Sequence, residues 1–126
     1  MRKLNVKYPI AWDHHRGGWA WVMHLVEEQC HCEDGILFIG AIEDLMHAGV
    51  VIEEPWVGFI HQAPRTQALG FPDLYRLLQT PSWKSSLPHC RGIWVLCHYL
   101  RDFLLSWNIE PPISVVPYIV DTDVKL

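Results

Sequence analysis

Charge is scarce in this chain. Asp, Glu, Lys and Arg make up 19% of its 126 residues, and ten basic side chains face fourteen acidic ones, for a net charge of −4. A protein that grips a phosphate backbone needs a basic excess, so nucleic acid is not an expected partner. No apolar run reaches the roughly 18 residues that a membrane span requires. The opening stretch, Met1 to Lys7, is not followed by the apolar segment of a secretory signal. These absences predict a cytoplasmic chain with no membrane span. Paired cysteines are also missing. Cys30 and Cys32 are one residue apart, a poor chelate on regular structure, and a predicted strand separates Cys90 from Cys97. Free thiols are the expected state and no metal site is assigned; the alternative, a zinc site, is a matter for metal analysis.

What is present is apolar and aromatic. Half of the residues are hydrophobic, with seven Trp and eight His. The length fits a single domain, 1–126, at roughly 100–200 residues per domain. It is too short to form a cleft between two large domains. So much Trp with so little charge tends to leave aromatic surface uncovered, which points to a partner or ligand.

The apolar pattern alternates between two periods. Leu4, Val6, Tyr8 and Ile10 alternate as in a strand, and residues 19–29 read as a helix with Trp19, Val22 and Val26 on one face and Leu25 beside them. Ile36-Leu37-Phe38-Ile39 and Trp56 to His61 read as buried strands, with a helix over 41–48 between them that should stop at Gly49. Residues 72–79 suggest a short helix. Thr80-Pro81 starts another, with an N-cap and proline at the first helical position, which should fail at Pro88. Ile93 to Cys97 is a strand. Residues 98–107 form a helix with a stripe of Tyr99, Leu100, Phe103, Leu104 and Trp107, ended by Asn108, and Ile113 to Val116 is a last strand. Strands alternating with helices predict an α/β fold: a Rossmann-like, mostly parallel sheet with flanking helices and right-handed crossovers. Ligands of such sheets sit beyond the carboxyl ends of the strands. That directs attention to His14 to Gly18, Gly40 to Glu43, His61 to Arg65, Cys97-His98 and Pro117-Tyr118.

Three constellations could carry chemistry there. The loop Asp13-His14-His15-Arg16-Gly17-Gly18 enters a helix, where glycines let a ligand approach and the helix start favours an anion; the alternative is an ordinary turn. His61, at a strand's carboxyl end, can act as a base or hold a substrate hydroxyl; the alternative is a histidine bonded to nearby backbone. Cys97 sits at a probable N-cap, where a helix dipole can stabilise a thiolate; the alternative is a small residue filling the cap.

The residues also carry a resemblance. Trp56-Val57-Gly58-Phe59-Ile60-His61-Gln62-x-Pro64 resembles a strand-and-loop motif of bacterial GT-B-type glycosyltransferases, and so does the run from Ser86 to Leu100 that includes Cys90-Arg91-Gly92-Ile93-Trp94-Val95-Leu96-Cys97. His15-Arg16-Gly17-Gly18-Trp19 resembles the approach to that family's first helix, and Gly35 to Gly40 with Glu43 resembles a further segment. The likeness runs from about Tyr8 to Asp121. Cys97 stands where the family has serine, and Ile39 where it tends to have aspartate. The resemblance implies the amino-terminal, acceptor-holding half of a two-domain enzyme that moves a sugar from a nucleotide-sugar to an acceptor hydroxyl. It implies His61 as catalytic base or hydroxyl-orienting residue. His15, Arg16, Gly17, Gly18, Gln62, Arg65, Cys97 and Tyr118 are the implied substrate contacts. No cofactor is implied beyond the nucleotide-sugar co-substrate. The implied partners are an acceptor saccharide or other hydroxyl compound, and a donor-domain half or a second copy. By itself this half is expected to be inactive. The alternative is a non-catalytic remnant or interaction module that pairs with a separate polypeptide.

Overall fold

The computed structural model describes residues 4–8, 19–65 and 73–116. Five strands form one sheet in which every pairing is parallel: β1 (Leu4–Tyr8), β2 (Ile36–Ile39), β3 (Trp56–Ile60), β4 (Cys90–Val95) and β5 (Ile113–Val115). The helices between them are α1 (Trp19–Cys30), α2 (Ile42–His47), α3 (Leu74–Leu77), α4 (Pro81–Ser86) and α5 (His98–Leu105), with a 3-10 turn at Leu87–His89. The chain is therefore α/β with a parallel sheet and flanking helices. The order across the sheet is sequential, β1 to β5. Doubly wound sheets reverse order at a switch point that marks the ligand crevice. The described strands have no such reversal, so strand order alone does not single out one crevice.

Alternation along the strands sorts the core into two clusters. Leu37, Ile39, Trp56, Ile60, Ile93 and Val95 face α2, α3, α4 and α5, meeting Ile42, Met46, Leu77, Trp83, Leu100 and Leu104. Val6, Phe38, Val57 and Phe59 face the other way and meet Met23 and Val26 of α1. Each strand adds on the same side of the last, so helices on opposite faces imply crossovers of opposite hand. The β1–α1–β2 crossover thus differs in hand from the three that follow, so the connections are not uniformly right-handed.

Local signals explain most element ends. Thr80 caps α4 by accepting from the Trp83 N–H, with Pro81 at the first helical position. Gly49, at φ +83°, stops α2: its N–H donates to Met46 and that of Val50 to Leu45, the paired bonds of a Schellman motif. The helix begun at Pro81 ends at Ser86, before Pro88. The strand expected from Ile93 begins earlier, at Cys90, and ends earlier, at Val95. On α5 the expected stripe is narrower. Leu100 and Leu104 are buried and Phe103 half-buried, but Tyr99 is 71% exposed and Trp107 is 37% exposed. A five-residue stripe is wider than the face this sheet offers an eight-residue helix.

One glycine sets how closely α2 approaches the sheet. A Cβ at Gly58 would lie 2.7 Å from the Ile39 carbonyl oxygen and 2.8 Å from Ile42 Cγ1. The bare backbone of β3 lets the start of α2 rest on it, and this brings the next residue, Glu43, against the end of β3. Buried polar groups tie α2 and α4 into the same layer. Trp56 Nε1 donates to the Ser86 carbonyl, Ser86 Oγ accepts from the Ile52 N–H, and Ser82 Oγ donates to the Met46 carbonyl.

Candidate functional site

The carboxyl ends of β2 and β3 lie side by side, since Ile39 pairs with Gly58 in register. Beyond them stand Gly40, the first turn of α2, His61 and Gln62. Glu43 is only 3% exposed, and its Oε1 accepts the His61 backbone N–H at 2.9 Å. Its Oε2 is buried with no hydrogen-bond partner among the described residues. Burial pushes the Glu43 carboxyl up to about 8, opposed by hydrogen bonds from its own backbone and that of His61 and assisted by the Asp44 charge. Near neutral pH this is an uncharged acid, because a carboxylate here would give up its hydration and gain too few donors in return.

The His61 ring is fixed from two sides. Its Nε2 lies 2.8 Å from the Gly40 carbonyl oxygen, and the ring stacks on Phe59 at 5.8 Å between centroids. A carbonyl only accepts, so Nε2 carries a proton and, in the neutral ring, Nδ1 is the basic nitrogen. The backbone bond named as the alternative for His61 is thus present, and it also selects one tautomer. Gln62 turns toward α2, where its Oε1 accepts from His47 Nε2 at 3.0 Å. The structure therefore gathers Gly40, Glu43, His47, His61 and Gln62 into one hydrogen-bonded patch.

The other expected site residues are placed apart from it. The Arg65 guanidinium lies 4.1 Å from the Tyr75 ring centroid, against α3, and makes none of the hydrogen bonds described for that patch. Cys97 is the N-cap of α5; it is exposed and its thiol makes no capping bond. It lines an open groove beyond β4 and β5 together with His98, Arg101 and Ser114. A second groove, beside Lys84 and Arg91, lies at the opposite, amino-terminal end of β4. His15, Arg16, Gly17, Gly18 and Tyr118 lie outside the described residues.

Among the described residues no group of three His, Cys, Asp or Glu is placed to hold a metal ion, and no helix is long and apolar enough to cross a membrane. The four cysteines are free thiols, and burial pushes the Cys90 thiol up to about 11. Sequence reasoning pointed to the segment Gly40 to Glu43 but gave Glu43 no role in the site. The signals were an acid in the first turn after a buried strand and a glycine, Gly58, on the next strand to admit it. No family model matches the chain, and neither does any curated protein or solved structure.

Proposed function

We propose that this chain is the acceptor-holding half of a glycosyltransferase-like enzyme of GT-B type. In the complete enzyme, a second domain or polypeptide would bring the nucleotide-sugar, and the sugar would pass to an acceptor hydroxyl. The observation that carries this reading is the cross-link of Glu43, His61 and Gly40 at the carboxyl ends of neighbouring parallel strands. That edge is where parallel sheets bind ligands, and the sequence motif around His61 points to the same place. His61 would orient the acceptor hydroxyl and take its proton through Nδ1 as the diphosphate departs. Glu43 would hold the His61 backbone without adding a charge beside the incoming sugar. Gln62 would offer its amide to acceptor hydroxyls.

Amide NMR of the chain titrated separately with a panel of glycosides and with nucleotide-sugars tests this. The expected result is a glycoside that shifts Gly40, His61 and Gln62 and no response to nucleotide-sugars. Micromolar binding of a nucleotide-sugar to this chain alone would contradict the assignment of the half.

A second reading, a non-catalytic module that pairs with another polypeptide, is favoured by exposed apolar side chains on α5 and in the turn after it. Tyr99, Leu105 and Trp107 are all substantially exposed there. Size-exclusion chromatography separates the two readings, since an obligate module should not run as a clean monomer.

A further inference from the structure

The groove beyond β4 and β5 has a composition unlike the rest of the molecule. It encloses about 660 Å3 and is lined by Leu96, Cys97, His98, Arg101, Ser114 and Val115, with Ile113. The chain as a whole carries more acid than base, yet no Asp or Glu lines this groove, while His98 and Arg101 both do. Asp102 follows Arg101 in sequence but is not part of the lining.

Arg101 is held ready. It is half-buried, and its Nε donates to the Ile113 carbonyl at 3.1 Å, which fixes the guanidinium against the rim of β5. Its two terminal nitrogens have no hydrogen-bond partner among the described residues. A planar guanidinium anchored at Nε presents these two nitrogens as a fork that fits two oxygens of one phosphate or carboxylate. Ser114 lines the groove from β5, the strand that anchors Arg101, and His98, three residues before Arg101 on α5, adds a second nitrogen donor.

We infer that this groove binds an oxyanion, through Arg101 as the fork with His98 and Ser114 beside it, and that the oxyanion belongs to the acceptor. The oxyanion is argued from the groove; that a saccharide is attached to it rests on the function proposed above. The acceptor class is then an anionic sugar, phosphorylated or carboxylated.

The test is amide NMR of the full chain at matched ionic strength with four probes: inorganic phosphate, glucose monophosphate, glucuronate and glucose. The expected result is that at least one oxyanion shifts the Cys97, His98 and Ser114 amides and the Arg101 Nε–H, and that glucose leaves them unmoved. A response to the phosphates alone identifies a phosphorylated acceptor, and a response to glucuronate alone a carboxylated one. Arg101→Gln should weaken the response about tenfold, the scale of one lost charge-assisted pair. That variant also loses the Ile113 anchor, so His98→Ala, which removes an exposed side chain, serves as the second variant and should weaken binding severalfold in a folded chain. Absence of any oxyanion response in the groove overturns the inference, as does a response that chloride reproduces or that neither variant reduces. Glycosides that shift Gly40, His61 and Gln62, with no oxyanion response in the groove, would overturn the groove assignment and leave the proposed function standing. Oxyanion binding with no glycoside response at His61 would do the reverse.

Discussion

Glu43 turns pH into a probe of the site. Its folded-state value of about 8 lies above the 4.5 of an unperturbed glutamate, so between these limits the folded chain holds a proton that the unfolded chain has lost. Stability should therefore fall as pH rises from about 4.5 to about 8, by roughly 1.4 kcal/mol per pH unit at the steepest. Glu43→Gln keeps an acceptor for the His61 N–H and removes the charge. Urea midpoints measured across this range should show a falling contribution in the parent that the variant lacks; parallel profiles would refute the assignment. The thiols offer a second test. Cys90 is buried with its thiol pushed up to about 11, whereas Cys97 is exposed at the α5 N-cap. A thiol reagent followed by peptide mass spectrometry should label Cys97 in the folded chain and Cys90 only after unfolding. Equal labelling rates would count against the burial. Cys97 could be placed from sequence because its position followed from a strand ending and a helix beginning. Glu43 could be placed at the same edge, but its burial could not be read, because beside Asp44 in a first turn it reads as a solvated acid favoured by the helix dipole. Its burial depends on Gly58, a contact between elements that no local pattern encodes.

Between elements, Gly58 is where sequence and site meet. Gly58→Ala places a methyl against the Ile39 carbonyl oxygen, which is backbone and cannot turn aside. Overpacking of this kind costs about 1–3 kcal/mol. The expected outcome is a loss of that size in denaturant midpoint, together with shifted His61 and Gly40 amide signals as α2 is pushed off β3. A variant with parent-like stability and spectra would show that α2 is not held through this approach. Elements whose limits depend on one or two residues were legible beforehand. Thr80-Pro81 marked the start of α4, and Gly49 its counterpart at the end of α2. The burial of α5 was not, because Tyr99 and Leu100 are adjacent on the helix and only the sheet decides which of them faces inward. The side of the sheet that α1 covers was equally hidden. Met23 and Val26 are apolar and would suit either face, and the general preference for right-handed crossovers points away from the face observed.

Across the whole molecule, the two faces of the sheet are covered unequally, and this should set the order in which the chain opens. The face beneath α2 to α5 holds most of the fully buried side chains, including Trp56, Leu77, Ile93 and Leu104. The other is covered, among the described helices, by α1 alone, and Ile36 on that side remains 42% exposed. β1 pairs only with β2 among the described strands, and its pairing is irregular between Asn5 and Tyr8, where the Val6 N–H donates to His31 Nδ1. A helix attached to an outer strand with an interrupted ladder has less to hold it when the rest stays folded. Hydrogen exchange under native conditions should therefore find α1 and β1 opening at a lower free energy than β3 and β4, as a separate step. Met23→Ala should lower that step selectively. Leu104→Ala should instead lower the global transition, by about 2–5 kcal/mol for a leucine removed from a packed core. If α1 amides proved as protected as those of β3, the two clusters would have to unfold as one, and α1 would be as firmly held as the helices opposite. The proposed site straddles this division, because the His61 ring stacks on Phe59, which belongs to the α1-side cluster. Glu43 and Arg101 are carried by α2 and α5, on the opposite face from α1, so opening of α1 should leave the groove intact, and ligand-induced shifts there should persist in Met23→Ala.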